Sequence, residues 1–336
     1  MKINKKLFLK IVKKAKSVAV IGHQSPDGDC LGSVSAIYFL CKKYKKITDA
    51  FIDDEISSKY KCLNFSYIKS ESIDLLKYDL VISVDVASAK LLGKYKQQFY
   101  NHKNTIVIDH HSNRDLYGTT NIIDEKKASC CQIIYEIIQG CKLKIDKNLA
   151  TLLYLGIADD TGCFVHDNTD SQSHLITSKL FKLGADFKKI NYYVFKLVSA
   201  KSFEIKKKIY NLIQFNYGIR YVVLTLSYMK KNNFTKHDLG DFVNELLNLE
   251  GSKISFLMTE KQSGVFSLSF RCIDSYDVSK IAQIFNGGGH KEASGGEVRG
   301  NVDDCIKKVI NECIKEIRRK ENGGKNVWKK WIDCFE

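Results

Sequence analysis

Leu80–Val84 (LVISV) and Thr105–Ile108 (TIVI) are strand-length runs made almost wholly of apolar and β-branched residues. A strand with one face in water alternates polar and apolar residues, so a run without alternation needs both faces covered. A parallel sheet between layers of helices meets that need, and the surrounding sequence supplies the helices. Helical apolar spacing recurs at Ile3–Ala15, Leu31–Tyr44, Cys130–Gln139, Lys147–Ala158, Ser171–Leu183 and Ser202–Leu212, and Ser17–Ile21 is a further β-branched run. From about Phe215 the pattern changes. Tyr221–Ser227, Ile254–Thr259 and the alternating Val265–Arg271 read as strands, interleaved with helices at Lys236–Asn248, Val278–Phe285 and Val302–Arg319. The predicted fold class is α/β: an N-terminal parallel-sheet domain with helices on both faces (1–187), a helical connector (188–213), a smaller C-terminal α/β domain (214–320) and a loosely ordered tail (321–336).

Composition narrows the function classes. A chain of 336 residues favours two domains over one. Its 44% hydrophobic and 27% charged residues exclude a disordered chain, a collagen and a small disulfide scaffold. The longest apolar run, near Leu31–Cys41, is interrupted by Ser33 and Ser35 and falls short of the ~20 residues that span a bilayer. Lysines recur through the N-terminal apolar positions, with no cleavage-site pattern after them, so neither a signal peptide nor a membrane partner is expected. The eleven cysteines include no C-x-x-C pair and sit mostly among apolar neighbours, which reads as buried thiols in a reducing, cytoplasmic setting. The net charge is +15, but only six of the 53 cations are Arg, the residue suited to bidentate phosphate contacts. The charge therefore reads as a lysine bias as much as an attraction for nucleotides or nucleic acid.

Four segments place Asp or His at the end of an apolar strand or helix. In VAVIGHQSPDGDCLGS, His23, Asp27 and Asp29 follow the Ser17–Ile21 strand, with Gly22, Pro26, Gly28 and Gly32 as turn formers that let the three converge. In LVISVDVAS, Asp85 directly follows a buried strand, and in TIVIDHHSN so do Asp109, His110 and His111. Adjacent strand residues point to opposite faces, so the two histidines should have different jobs. In LGIADDTGCF, Asp159 and Asp160 end a helical run. Ligands of open α/β sheets collect at the carboxyl ends of the strands. One Asp in such a place is ordinarily a turn residue or helix cap. Four such segments in one domain supply donors enough for two metal ions sharing a carboxylate, and a mixed Asp/His set suits a cation such as Mn²⁺. A fifth segment, IAQIFNGGGHKEASGG, lies in the second domain. Three consecutive glycines there can turn backbone N–H groups toward an anion, with His290 beside them and Arg271 upstream, although a plain loop at a helix end has the same composition.

In this order, G-H-x-x-P-D-G-D-x-L-G-S, the aspartate of SVDVAS, D-H-H and G-I-x-x-D-T-G-x-F resemble the DHH phosphoesterases. F-N-G-G-G-H-K-x-A-S-G resembles the DHH-associated C-terminal domain, so the likeness runs from Gly22 to Gly296. It is nearest to the short branch of nanoRNases, 3′-phosphoadenosine-5′-phosphate (pAp) phosphatases and cyclic-di-AMP phosphodiesterases. The resemblance implies two Mn²⁺, with Mg²⁺ or Co²⁺ as substitutes. His23, Asp27 and Asp85 would hold one ion; Asp29, Asp85, His110 and Asp160 the other; Asp85 would bridge. His111 would face the substrate phosphate, and Asp109 would orient a histidine. Arg271, Gly287, Gly288, Gly289 and His290 would hold the far phosphate or base of the substrate. The implied activity is two-metal hydrolysis of short oligoribonucleotides, pApA and cyclic di-AMP to 5′-mononucleotides, with pAp as a further substrate, and the family makes a homodimer plausible. Two departures stand out. Leu91, beside Lys90, occupies about the place of a family Arg, and Arg114 stands where the family often has Asn, here Asn113. Two rival readings are a nucleotide-binding regulatory protein that has lost catalysis and an inorganic pyrophosphatase. No inferred ligand is missing, which weighs against the first, and the N-G-G-G-H-K segment weighs against the second.

Overall fold

The computed structural model describes residues 5–70, 73–111, 116–141, 143–273 and 275–332. The chain divides into two compact units, Met1–Leu197 and Val198–Glu336. The first unit holds strands β1 (Ser17–Ile21), β2 (Ile47–Phe51), β3 (Ile68–Lys69), β4 (Leu80–Val84), β5 (Thr105–Asp109) and β6 (Thr120–Ile123). They form one sheet in the order β3-β2-β1-β4-β5-β6, parallel throughout. Helices α1 (Lys5–Lys14), α2 (Gly28–Lys43), α3 (Lys96–Asn101), α4 (Cys130–Gly140), α5 (Lys147–Asp160), α6 (Ser171–Lys182) and α7 (Phe187–Ile190) complete it.

The strand pleat explains the unbroken apolar runs. Val18, Val20, Ile82, Val84, Ile106 and Ile108 face one core, shared with α1, α2, α4 and α5. Ala19, Ile21, Val81 and Val107 face the other, closed by Phe99 of α3 and by Leu75, Leu92 and Tyr95 from short 3₁₀ segments. Strand order reverses between β1 and β4, which makes their carboxyl ends the switch point of the sheet.

The second unit is a mixed sheet in the order β11-β12-β10-β9-β8-β7, built from β7 (Gln214–Asn216), β8 (Ile219–Leu224), β9 (Ile254–Gln262), β10 (Val265–Cys272), β11 (Gly288–Gly289) and β12 (Ala293–Arg299). Its helices are α8 (Ala200–Tyr210), α9 (Leu226–Lys231), α10 (Phe242–Leu247), α11 (Val278–Ile284) and α12 (Val302–Ile332).

Four expectations change. The strand expected over Tyr221–Ser227 stops at Leu224, because Thr225 caps α9 by accepting the Tyr228 N–H. The helix expected over Lys236–Asn248 is split at Gly240, whose φ of +55° ends a 3₁₀ turn before α10 begins. The helix α12 continues past Glu321 to Ile332, where a loosely ordered tail is expected. Gly32 is not a turn residue: it lies inside α2, where a Cβ would stand 2.6 Å from the Leu152 carbonyl of α5. Glycine there lets the two helices approach closely.

Candidate active site

The loop after β1 delivers His23 and Asp27, the latter as the N-cap of α2, where its carboxylate accepts the Cys30 N–H at 2.9 Å. Asp29 lies in the first turn of α2 and is fully buried. It accepts the N–H groups of Cys130 (2.5 Å) and Cys131 (2.9 Å) at the start of α4, the natural place for an anion. Asp85 follows β4 at φ +58°, a left-handed conformation that Asp tolerates better than most residues. Asp160 ends α5.

These elements converge at the switch point. His23 Nε2 stands 3.7 Å from both Asp27 Oδ1 and Asp85 Oδ2. His110 Nε2 lies 3.1 Å from Asp160 Oδ2, 3.6 Å from Asp85 Oδ1 and 4.0 Å from Asp29 Oδ2. Three overlapping groups result, each with its donor atoms within 4.8 Å of one another: His23–Asp27–Asp85, Asp29–His110–Asp160 and Asp85–His110–His111. All six candidate ligands are thus brought together.

The rings are oriented from behind. His23 Nδ1 donates to the Gln24 carbonyl (2.7 Å) and His110 Nδ1 to the Lys127 carbonyl (3.2 Å), so each turns Nε2 toward the carboxylates. His111 is held differently: its Nδ1 donates to Asp109 Oδ1 at 2.7 Å. Asp109 is thus hydrogen-bonded to His111, while the neighbouring His110 turns its Nδ1 to the Lys127 carbonyl.

The electrostatics call for a cation. Burial and the charges of Asp85 and Asp160 push the Asp29 carboxyl well above its usual range. Burial likewise pushes Asp160 up to about 6, against the pull of His110. Despite its own burial, Asp85 is held well below the carboxylate range by His110 and His23. His110, despite burial, is pushed up to about 12 by Asp160 and Asp85. Among the described residues only imidazoles pair with Asp29, Asp85 and Asp160. Asp85 Oδ1 and Asp160 Oδ2 are buried and make no hydrogen bond. Crowded carboxylates with orphaned oxygens, faced by imidazole Nε2 atoms whose proton a cation would displace, are a donor set that fits divalent cations of the Mn²⁺ type.

His166 and Asn168 carry no sequence signal of their role. His166 Nδ1 (3.1 Å) and Asn168 Nδ2 (3.2 Å) donate to the Asp160 carbonyl. Between them and Asp160, Gly162, Cys163 and Phe164 form a left-handed turn with φ of +54°, +56° and +70°. Non-glycine residues pay about 1–2 kcal/mol each for that conformation, and such strain gathers at functional sites. Leu91 is exposed, and its carbonyl accepts the Gln24 N–H at 3.0 Å, tying the following segment to the His23 loop. Asn113 and Arg114 lie outside the described residues.

In the second unit, Arg271 of β10 pairs with Ala293 of β12, and Ala293 exchanges backbone hydrogen bonds with His290 (2.8 and 3.3 Å). Arg271 on β10 and exposed His290, which follows β11, are thereby two strands apart in the sheet. The three glycines pack against neighbouring backbone. The Gly287 N–H donates to Ala282 and closes α11, while Gly288 and Gly289 pair with Gly295 and Ser294. A Cβ on Gly287 would stand 1.9 Å from the Gly295 carbonyl. Gly287→Ala should therefore spread β11 from β12. Nucleotide titration should show weakened binding, while Mn²⁺ titration of the first unit stays as in the wild type.

A carboxylate–imidazole cluster at the switch point of a parallel sheet, served by the successive histidines His110 and His111, defines a phosphoesterase of the DHH class. Residues 17–157 match the DHH family, N-terminal domain, and residues 218–316 match the DHHA1 domain. The chain belongs to the DHH phosphoesterases with a DHH-associated domain, and it is a hydrolase. It is 27% identical over 312 residues to the bifunctional oligoribonuclease and PAP phosphatase NrnA of Mycoplasma genitalium, covering 89% of this chain and 96% of that protein. Against the protein of the same name from Thermus thermophilus it is 23% identical over 305 residues, 90% of each chain. Its fold matches an exopolyphosphatase-related protein from Bacteroides fragilis with a TM-score of 0.84 at 22% identity, covering 94% of this chain and 96% of that one. RecJ of Thermus thermophilus in complex with Mn²⁺ shares the fold at a TM-score of 0.53 and 11% identity, over 94% of this chain and 55% of that one. No helix among the described residues is long and apolar enough to cross a membrane.

Proposed function

We propose that the enzyme hydrolyses very short oligoribonucleotides, pApA and cyclic di-AMP to 5′-mononucleotides, and removes the 3′-phosphate of pAp, with two Mn²⁺ as its metal. One observation carries this reading: two donor groups, His23–Asp27 and Asp29–His110–Asp160, flank a shared, buried Asp85. The names of the curated relatives, which pair an oligoribonuclease with a PAP phosphatase, support the substrate class. Ten described cysteines, all free thiols, support a reducing, cytoplasmic location.

His23, Asp27 and Asp85 would hold one cation, and Asp29, Asp85, His110 and Asp160 the second. Bound there, divalent cations polarise the phosphate and supply a nucleophile from water at neutral pH. The chain's own groups do the rest. Asp109 holds His111 through Nδ1–H and, despite burial, raises its pKa, so the imidazolium form carries a second proton on Nε2 that it donates to a phosphate oxygen, where charge grows as the ester breaks. Asp29, anchored on the two N–H groups of α4, is kept in the donor group it forms with His110 and Asp160. In the second unit, Arg271, Gly287, Gly288, Gly289 and His290 would hold the distal phosphate or base.

The test uses purified protein, Mn²⁺ and equal concentrations of pApA, cyclic di-AMP, pAp and a five-nucleotide RNA, with AMP release as the readout. Release is expected from pApA and the RNA, lost on chelation and restored by Mn²⁺. Tight binding of all four without hydrolysis would overturn the reading in favour of a regulatory protein. Substrate-free Mn²⁺ should also raise the melting temperature, since a hundredfold excess over Kd adds about 2.7 kcal/mol to stability.

A further inference from the structure

Asp159 precedes the candidate ligand Asp160, yet it belongs to none of the donor groups found among the described residues. Its side chain is largely buried and fully engaged elsewhere. Oδ2 accepts two hydrogen bonds of 2.7 Å, from the Gly28 N–H and from the Tyr60 hydroxyl. Oδ1 lies 3.4 Å from Lys59 Nζ, which also sits 4.6 Å from the centre of the Tyr60 ring. Tyr60 is itself buried, in a 3₁₀ turn between β2 and β3.

Gly28 gives this arrangement its meaning. It is the first residue of α2, so its N–H is one of the helix-end donors that no intrahelical carbonyl can satisfy. It also lies between Asp27 and Asp29, which go to different donor groups: Asp27 toward His23 and Asp85, Asp29 toward His110 and Asp160. The backbone forks at Gly28. A Cβ there would stand 2.7 Å from the Asp159 Cβ and 2.8 Å from its carboxyl carbon, so residue 28 is glycine because Asp159 fills the space beside it. A carboxylate at this point also complements the positive end of the α2 dipole.

We propose that Asp159 is a positioning residue. By holding the Gly28 N–H, with Tyr60 as its anchor, it fixes the divergence of Asp27 and Asp29 and so sets the affinity of the site for divalent cations. The segment around Lys59–Tyr60, far from every sequence motif, thereby becomes part of the machinery. The inference rests on the reading of the carboxylate–imidazole cluster as a cation site.

The experiment titrates Mn²⁺ into the metal-free full-length protein without substrate, following free Mn²⁺ by electron paramagnetic resonance. The proteins are the wild type, Asp159→Ala, Asp159→Asn and Tyr60→Phe. Loss of a group that orients ligands typically weakens metal binding roughly 10–100-fold, and that loss is expected for Asp159→Ala. Tyr60→Phe should weaken it less, since it removes one of the two bonds. Asp159→Asn should bind close to the wild type, because an amide oxygen still accepts from Gly28 and Tyr60. At saturating Mn²⁺, Asp159→Ala should regain kcat with KM for pApA unchanged. Wild-type affinity in Asp159→Ala, or an Asp159→Asn as weak as the alanine variant, overturns the proposal. If Asp159→Ala does not fold, unchanged affinity in Tyr60→Phe overturns it equally. A wild type that binds Mn²⁺ but hydrolyses nothing defeats the proposed function and leaves this inference standing; a wild type that binds no Mn²⁺ defeats the cation site on which it rests.

Discussion

Asp85→Asn should abolish phosphoester hydrolysis while leaving the metal-free fold intact. Among the described residues Asp85 is the one carboxylate within reach of both His23 (3.7 Å) and His110 (3.6 Å), so its charge serves both donor groups at once. Bound cations lower the barrier by several kcal/mol, and each 1.36 kcal/mol is tenfold in rate. Loss of the shared carboxylate is therefore expected to lower kcat by ~10³-fold or more. Asparagine is chosen because it accepts the φ of +58° found at this position. The melting temperature of the metal-free variant should stay near that of the wild type, and its response to Mn²⁺ should vanish. A variant that keeps about a tenth of the rate, a loss of only ~1.4 kcal/mol, would remove Asp85 from the centre of the mechanism.

Gly156→Ala should damage both stability and metal binding. Gly156 lies inside α5, where glycine costs up to about 1 kcal/mol relative to alanine, so substitution would ordinarily help the helix. Here the new Cβ would stand 2.3 Å from Cys131 Sγ and 2.5 Å from Asp29 Oδ1. Both neighbours are fully buried, and Asp29 is anchored to the start of α4. Overpacking of this kind costs ~1–3 kcal/mol. Any relief must move Asp29 out of register with His110 and Asp160. Thermal unfolding and Mn²⁺ titration should therefore both worsen. A variant with a raised melting temperature and unchanged Mn²⁺ affinity would mean that α5 slides freely against α2 and α4.

Much of this was legible in the sequence because the relevant physics is local. LVISV and TIVI lack alternation, and the strands they form are buried on both faces. Asp85, His110 and Asp160 stand at strand and helix ends, and all three reach the cluster. The strands β2, β3 and β6 were not anticipated: ITDAF is half polar, and the other two are only two and four residues long. What stayed hidden depends on long-range contact. Nothing near Tyr60 announces that its hydroxyl meets a carboxylate 99 residues away. The packing of the second-domain glycines stayed hidden for a related reason. Composition shows freedom from Cβ, but only the pairing of β11 with β12 shows that the freedom serves close strand approach. Gly156 did carry a signal, since a glycine in a helix interior asks for a reason, and the Asp29 carboxylate beside it is that reason.

The order of the strands has a consequence for how the enzyme comes into being. β1 pairs with β4 at a separation of 62 residues, and the donors run from His23 to Asp160 along the chain. A ribosome adding about 5–20 residues per second needs on the order of ten seconds to pass from the first donor to the last. Throughout that time the nascent chain presents isolated carboxylates and imidazoles but no complete site. The full donor set can come together only once α5, which carries Asp160, has left the exit tunnel.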